Sequence, residues 1–158
     1  MPPKSIRPAA PRVPPCPGGI AVDFSHWPLV VMTPPPNALS DADFMAYIKW
    51  MEQYVTRAGV KYAVVNDARR AAPITAAHRK LLSDYMTRVR PITRIYCVGM
   101  AMVFDSAVMR GIMTAILWMT DPDYPTRVFA TPAEAIAWAE VQLGRAAHEL
   151  GAQPRSSL

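Results

Sequence analysis

The amino-acid sequence predicts a single α/β domain, a small, mostly parallel mixed sheet with its elements in the order β-β-α-β-α-β-α-β-α. Three observations carry that reading. Two segments, KYAVVND (61–67) and IYCVGMAMVF (95–104), are apolar runs of the kind that form strands covered on both faces. Between and after them lie stretches whose apolar residues recur at helical spacing, each opened by a capping residue. The chain has 158 residues, 51% hydrophobic and 18% charged, enough for one packed core and short for two.

Residues 1–19 carry seven prolines and two glycines. Prolines this dense cannot supply the backbone donors that helices and central strands need, so a disordered, partly polyproline-II leader is expected. Its PxxP spacings, Pro8 to Pro11 and Pro11 to Pro14, fit a recognition motif but arise easily by chance in such a segment. The domain proper is expected over 20–151, with a flexible tail over 152–158.

IAVDF (20–24) and LVVM (29–32), joined by Ser25-His26-Trp27-Pro28, predict a short antiparallel pair. Ser40-Asp41-Ala42-Asp43 then opens a helix on which Phe44, Ile48, Met51 and Val55 form a stripe, with Gly59 as the stop. After the 61–67 strand, Thr75 caps a second helix with Ala77, Leu81, Tyr85 and Val89 inward, and Pro91 should bound it. The 95–104 strand follows, with a bulge or close approach expected at Gly99. A third helix is expected from Ser106 to about Met119, and a short strand over 128–130. Thr131-Pro132-Ala133-Glu134 is the strongest helix-start signal in the chain, opening a last helix that runs to about Leu150.

The segment from Tyr96 to Met119 contains two charges, Asp105 and Arg110. Each would cost roughly 2.5 to 3.5 kcal/mol near a bilayer centre, so a strand–helix joint is favoured over a membrane span. The third helix is apolar all round, with Val108, Met109, Ile112, Met113, Ile116, Leu117, Trp118 and Met119 against Arg110 and Thr114 alone. Something must cover its outer side. The candidates are another part of the monomer, a partner at an interface that includes Met109, Met113 and Trp118, or an apolar ligand. Under any of them, Met109, Ile112, Ile116 and Trp118 are expected to be sheltered.

The element order, the strand KYAVVND, the apolar segment 95–119 and the ending VFATPAEAIAWAEVQL together resemble the bacterial STAS domains, in the branch of the anti-sigma-factor antagonists. The resemblance spans roughly residues 20–145. It implies a non-enzymatic regulatory module that binds a partner protein in the cytoplasm. In that family, a serine or threonine at the start of the helix after the corresponding strand is phosphorylated by a partner kinase. Thr75 occupies the comparable position here, although the family's serine pair and glycine are missing from the loop after Asp67. Arg69, Arg70 and the helix start would favour a phosphate there.

Charge is unevenly distributed. Residues 69–94 hold Arg69, Arg70, Arg79, Lys80, Arg88, Arg90 and Arg94 against Asp84, a local balance of +6 in a chain of net +5. Such a patch suits an acidic protein or another anion. Nucleic acid is not expected, because Tyr85, the aromatic among these cations, falls on the buried stripe.

Catalytic motifs do not emerge. His26, His78 and His148 lack metal-ligand spacing, so no metal or cofactor is expected, and Cys16 and Cys97 read as free thiols. Asp67, Asp105, Ser106 and Arg110 could converge where α/β folds bind ligands, yet ion pairing and helix capping account for the same residues. The start has no apolar h-region, so a reducing cytoplasm is the expected compartment. The expected partner is a protein, with a homodimer as one form. Binding of a small amphipathic or anionic ligand is the alternative.

Overall fold

The computed structural model describes residues 7–152, with side chains as far as Leu150. Residues 1–6 and 153–158, parts of the expected leader and tail, lie outside the described residues. One sheet holds five strands in sequential order: β1 (Ala21–Asp23), β2 (Leu29–Thr33), β3 (Tyr62–Asp67), β4 (Cys97–Val103) and β5 (Thr126–Phe129). β1 is antiparallel to β2, and every other pair is parallel. The helices are α1 (Asp41–Met51), α2 (Ala76–Tyr96), α3 (Ala107–Thr120) and α4 (Pro132–Ala152). The mixed, mostly parallel sheet and the predicted order both form.

Local chemistry sets the helix starts. Ser40 Oγ accepts from the Asp43 N–H at 3.1 Å and donates to its carboxylate at 2.9 Å. Thr75, Ser106 and Thr131 accept in the same way from the backbone N–H of His78, Met109 and Glu134, at 3.1, 3.3 and 3.3 Å. Each cap satisfies a donor that the first helical turn cannot. α1 widens into a π turn over Glu52–Thr56, and the chain leaves past Gly59 at φ 73°, a left-handed conformation that glycine adopts without strain.

Alternation along the strands divides the core in two. One face carries Val30, Met32, Tyr62 and Val64 against Trp50, Met51 and Val55 of α1 and its π turn. The other carries Leu29, Ala63, Val65, Ala101 and Val103 against Ala135 and Ala139 of α4. Small residues let α4 lie close to the sheet. A Cβ on Gly99 would stand 3.1 Å from both the Trp138 ring and Gln142 Cγ. The register also shifts here, since Tyr62 pairs with Cys97 but Ala63 pairs with Gly99, leaving Val98 as the extra residue.

Three expectations change. α2 does not stop at Pro91 but continues to Tyr96, so β4 starts at Cys97. Proline has no N–H for the preceding turn, yet Val89 and Thr93 on either side are buried and Arg90 and Arg94 both grip Asp123, so packing outweighs the local defect. Part of the segment read as a free leader lies on the domain. Val13 and Cys16 touch the first core cluster, and Trp50 Nε1 donates to the Pro14 carbonyl at 2.9 Å. A carbonyl acceptor is what proline retains, so a proline-rich segment can still be held by a side-chain donor. The third change concerns α3. None of its residues is buried, so the sheltering expected for Met109, Ile112, Ile116 and Trp118 is not supplied by the described residues.

Candidate functional site

Asp67 ends β3 and is buried, and its carboxylate takes both Nε and Nη2 of Arg69 at 2.8 Å. The Arg69 guanidinium therefore holds the Asp67 carboxyl below the usual carboxylate range. Such a depressed group stabilises the fold at pH values above its unfolded pKa near 4, and that contribution disappears as pH falls through the folded value. Asp67→Asn should consequently lower stability at pH 7, with the gap to wild type narrowing as pH falls below the unfolded value and through the lower folded one; urea denaturation along a falling pH series checks this.

Of the other members of the predicted joint, Arg110 and Ser106 are also engaged. Arg110 Nη1 donates to the carbonyls of Phe104 and Asp105 at 2.8 and 2.7 Å, closing the β4–α3 turn. Ser106 caps α3, and the Asp105 side chain is exposed. Asp67 closes β3 and Asp105, Ser106 and Arg110 follow β4, so they stand at the carboxyl ends of neighbouring strands, tied locally into the turns there. Asn66 was not anticipated. Its Oδ1 is buried without a hydrogen-bond partner among the described residues, at a strand position flanked by Met32 and Met102. Nothing in the sequence separates this asparagine from an ordinary strand-end residue.

The basic row is largely neutralised by the chain's own acids. Arg88 pairs with Glu52 at 2.7 Å, Lys80 with Asp84 at 3.1 Å, and Arg90 and Arg94 share Asp123. Arg79 donates to the Ile74 carbonyl at 3.0 Å, while Arg70 is exposed. The acids on Arg88, Arg90 and Arg94 lie 36, 33 and 29 positions away, so a local charge count could not find them. Thr75 is exposed at the start of α2 with its hydroxyl engaged in the cap.

His78 adjoins the Thr75 cap. It is buried, stacked on Phe44 at 4.3 Å between centroids, and its Nε2 lies 2.8 Å from Asp41 Oδ1. It joins the starts of α1 and α2. Burial pushes the Cys16 thiol up to about 11 and the Cys97 thiol up to about 12, so both are protonated at neutral pH. Among the described residues, no group of three His, Cys, Asp or Glu side chains could hold a metal ion. No helix among them is long and apolar enough to cross a membrane.

The remaining feature is α3. Arg110, Met113, Thr114 and Leu117 face the domain and are half-buried. A shallow cleft of about 390 Å³ separates the helix from β5, lined by Thr114, Leu117, Trp118, Thr126, Arg127 and Val128. The outer half of the helix is bare: Val108, Met109, Ile112, Ile116, Trp118 and Met119 are 71, 41, 48, 38, 84 and 78% exposed. With about 150–250 Å² offered by a large side chain, this amounts to roughly 700 Å² of apolar surface, above the few hundred Å² typical of a monomer's largest patch. Of the predicted interface residues, Met109 and Trp118 lie on this surface and Met113 faces inward.

No family model matches the chain, and no curated protein matches its sequence. Among solved structures, it is similar to an uncharacterised protein of the DUF3478 family with a SpoIIAA-like fold from Shewanella loihica PV-4. The TM-score is 0.59 over 76% of this chain and 91% of that one, at 10% sequence identity. At that identity the likeness shows the fold alone, and the chain accordingly has a SpoIIAA-like, STAS-like α/β fold.

Proposed function

We propose that this domain is a non-enzymatic regulatory module of the cytoplasm that acts by binding a protein through the outer face of α3. The observation that carries the reading is the contrast between that bare apolar face and the rest of the candidate site, where Asp67, Arg69, Arg88, Arg90, Arg94 and Arg110 are spent on ion pairs and backbone carbonyls. Groups tied into the scaffold are poor catalysts, whereas an apolar patch of this size gains free energy only when covered. Native mass spectrometry of the protein purified from its own host tests the proposal. A protein complex abolished by Ile112→Glu is expected, and a chain that carries no protein partner, or keeps its partner in that variant, contradicts it.

The STAS resemblance adds a phospho-switch at Thr75, supported by its exposed position at a helix start, where the helix dipole favours added negative charge. Intact-mass analysis after incubation with a cognate kinase should show one phosphate, lost in Thr75→Ala; no added mass would remove the switch from the proposal. A second reading, binding of a small ligand, is favoured by the unpartnered Asn66 Oδ1 at the carboxyl end of β3. A small molecule released from the native protein by denaturation would support it.

A further inference from the structure

On the reading that the outer face of α3 is a protein-binding surface, we infer that its occupant is a second copy of this chain, packed helix against helix about a two-fold axis level with Met113. Three properties of the helix point there. The first is charge. The outer half of α3, between Val108 and Met119, carries no ionisable side chain, and Arg110 is turned inward onto the carbonyls of Phe104 and Asp105. A face without charge offers nothing to steer a charged partner and nothing to repel an identical copy. It is also unlike a lipid-inserting helix, which rims its apolar face with lysine or arginine.

The second is shape. Ala107, Gly111 and Ala115 recur every four residues and so form one small-residue ridge along the exposed side of α3, and all three are exposed. Among the described residues, no atom outside the helix's own turn lies within 4 Å of where a Gly111 Cβ would stand. A ridge of this kind allows two helix backbones to approach closely, with the bulky side chains interdigitating beside it.

The third is the placement of these residues about a single point. Gly111 and Ala115 are equidistant from Met113, as are Val108 and Trp118. A two-fold axis requires residue i to meet residue j while j meets i. With two antiparallel helices crossing at Met113, the Gly111 of each copy meets the Ala115 of the other, and each Trp118 covers the other's Val108. Trp118 and Val108 are among the most exposed apolar side chains of the helix, at 84 and 71%, so the arrangement buries the surface that most needs burying. Roughly 700 Å² per copy approaches the ~800 Å² per partner of a standard stable interface.

Sedimentation velocity on the full chain from about 1 to 200 μM tests this, with far-UV circular dichroism as the fold control. The wild type should pass from one copy to two and stop there. Ile112→Glu should weaken self-association about 100-fold or more by placing a carboxylate in the contact, with helicity unchanged because Ile112 is half exposed in the monomer. Gly111→Leu should weaken it comparably while favouring the isolated helix, which separates loss of contact from loss of fold. Val141→Glu, at an equally exposed apolar position on α4, should leave association unchanged. A wild type that stays monomeric throughout, or a dimer that survives Ile112→Glu, overturns the inference. A monomer that binds phosphatidylglycerol vesicles through α3 also overturns it and makes lipid the occupant. A monomer whose native hetero-complex is lost in Ile112→Glu overturns the self-pairing while leaving the protein-binding reading intact.

Discussion

Trp50→Ala should lower the unfolding free energy by about 3–5 kcal/mol, the range for deleting a large buried aromatic side chain. Trp50 is 5% exposed, with Phe24 and Tyr54 at centroid distances of 6.1 and 5.6 Å. The residue joins three elements. It sits on α1, faces the β1–β2 side of the sheet, and holds the Pro14 carbonyl through its indole N–H. Alanine would leave a cavity beneath the 13–19 segment as well as removing apolar contact. Against a total stability of about 5–15 kcal/mol, such a loss corresponds to a drop in melting temperature of roughly 10 °C. Trp50→Phe retains most of the burial and gives up one hydrogen bond, so its expected cost is smaller, near 1 kcal/mol relative to wild type. Urea denaturation of both variants checks the ordering, together with faster proteolysis near Pro14 in each. A loss under 1 kcal/mol in Trp50→Ala would show that the segment and α1 do not share a core.

Ala139→Glu should be as damaging, at about 3 kcal/mol or more, for a different reason. Ala135 and Ala139 are fully buried where α4 meets Ala63 and Ala101 of the sheet. A carboxylate there has no water and no partner. Its folded pKa would rise above the unfolded value near 4.3, so the penalty is present above that value and shrinks as pH falls toward it. The variant should therefore be less impaired at pH 4 than at pH 7 relative to wild type. Ala139→Leu tests space without charge, with an expected cost of about 1–3 kcal/mol. If leucine matched glutamate at pH 7, crowding alone would explain the site.

The sequence reading succeeded where the controlling interaction was short in range. Ser40, Thr75, Ser106 and Thr131 each cap the predicted helix because the donor they satisfy lies three residues on. Phe44, Ile48, Met51 and Val55 form the predicted buried stripe because helical spacing alone places them on one face. Pro91 misled because its local penalty is offset by Val89, Thr93 and an acid at Asp123, none of which a proline rule weighs. The same long-range pairing made the cations of 69–94 look like a free patch. His78 and Asn66 were illegible for a related reason: polar side chains on amphipathic segments show their burial only once neighbouring elements pack. For α3, composition revealed that a cover was needed, and no pattern could reveal that none comes from the described residues.

A protein-binding role for α3 requires that its outer face be uncovered within a single copy of the domain. Hydroxyl-radical footprinting of the full chain at a concentration dilute enough to be monomeric measures this side chain by side chain. Trp118 and Met119 should be modified rapidly while Trp27 and Trp50, each 5% exposed, stay protected. Protection of Trp118 equal to that of Trp50 in the monomer would mean that the chain covers its own third helix, and the interaction surface would be lost with it.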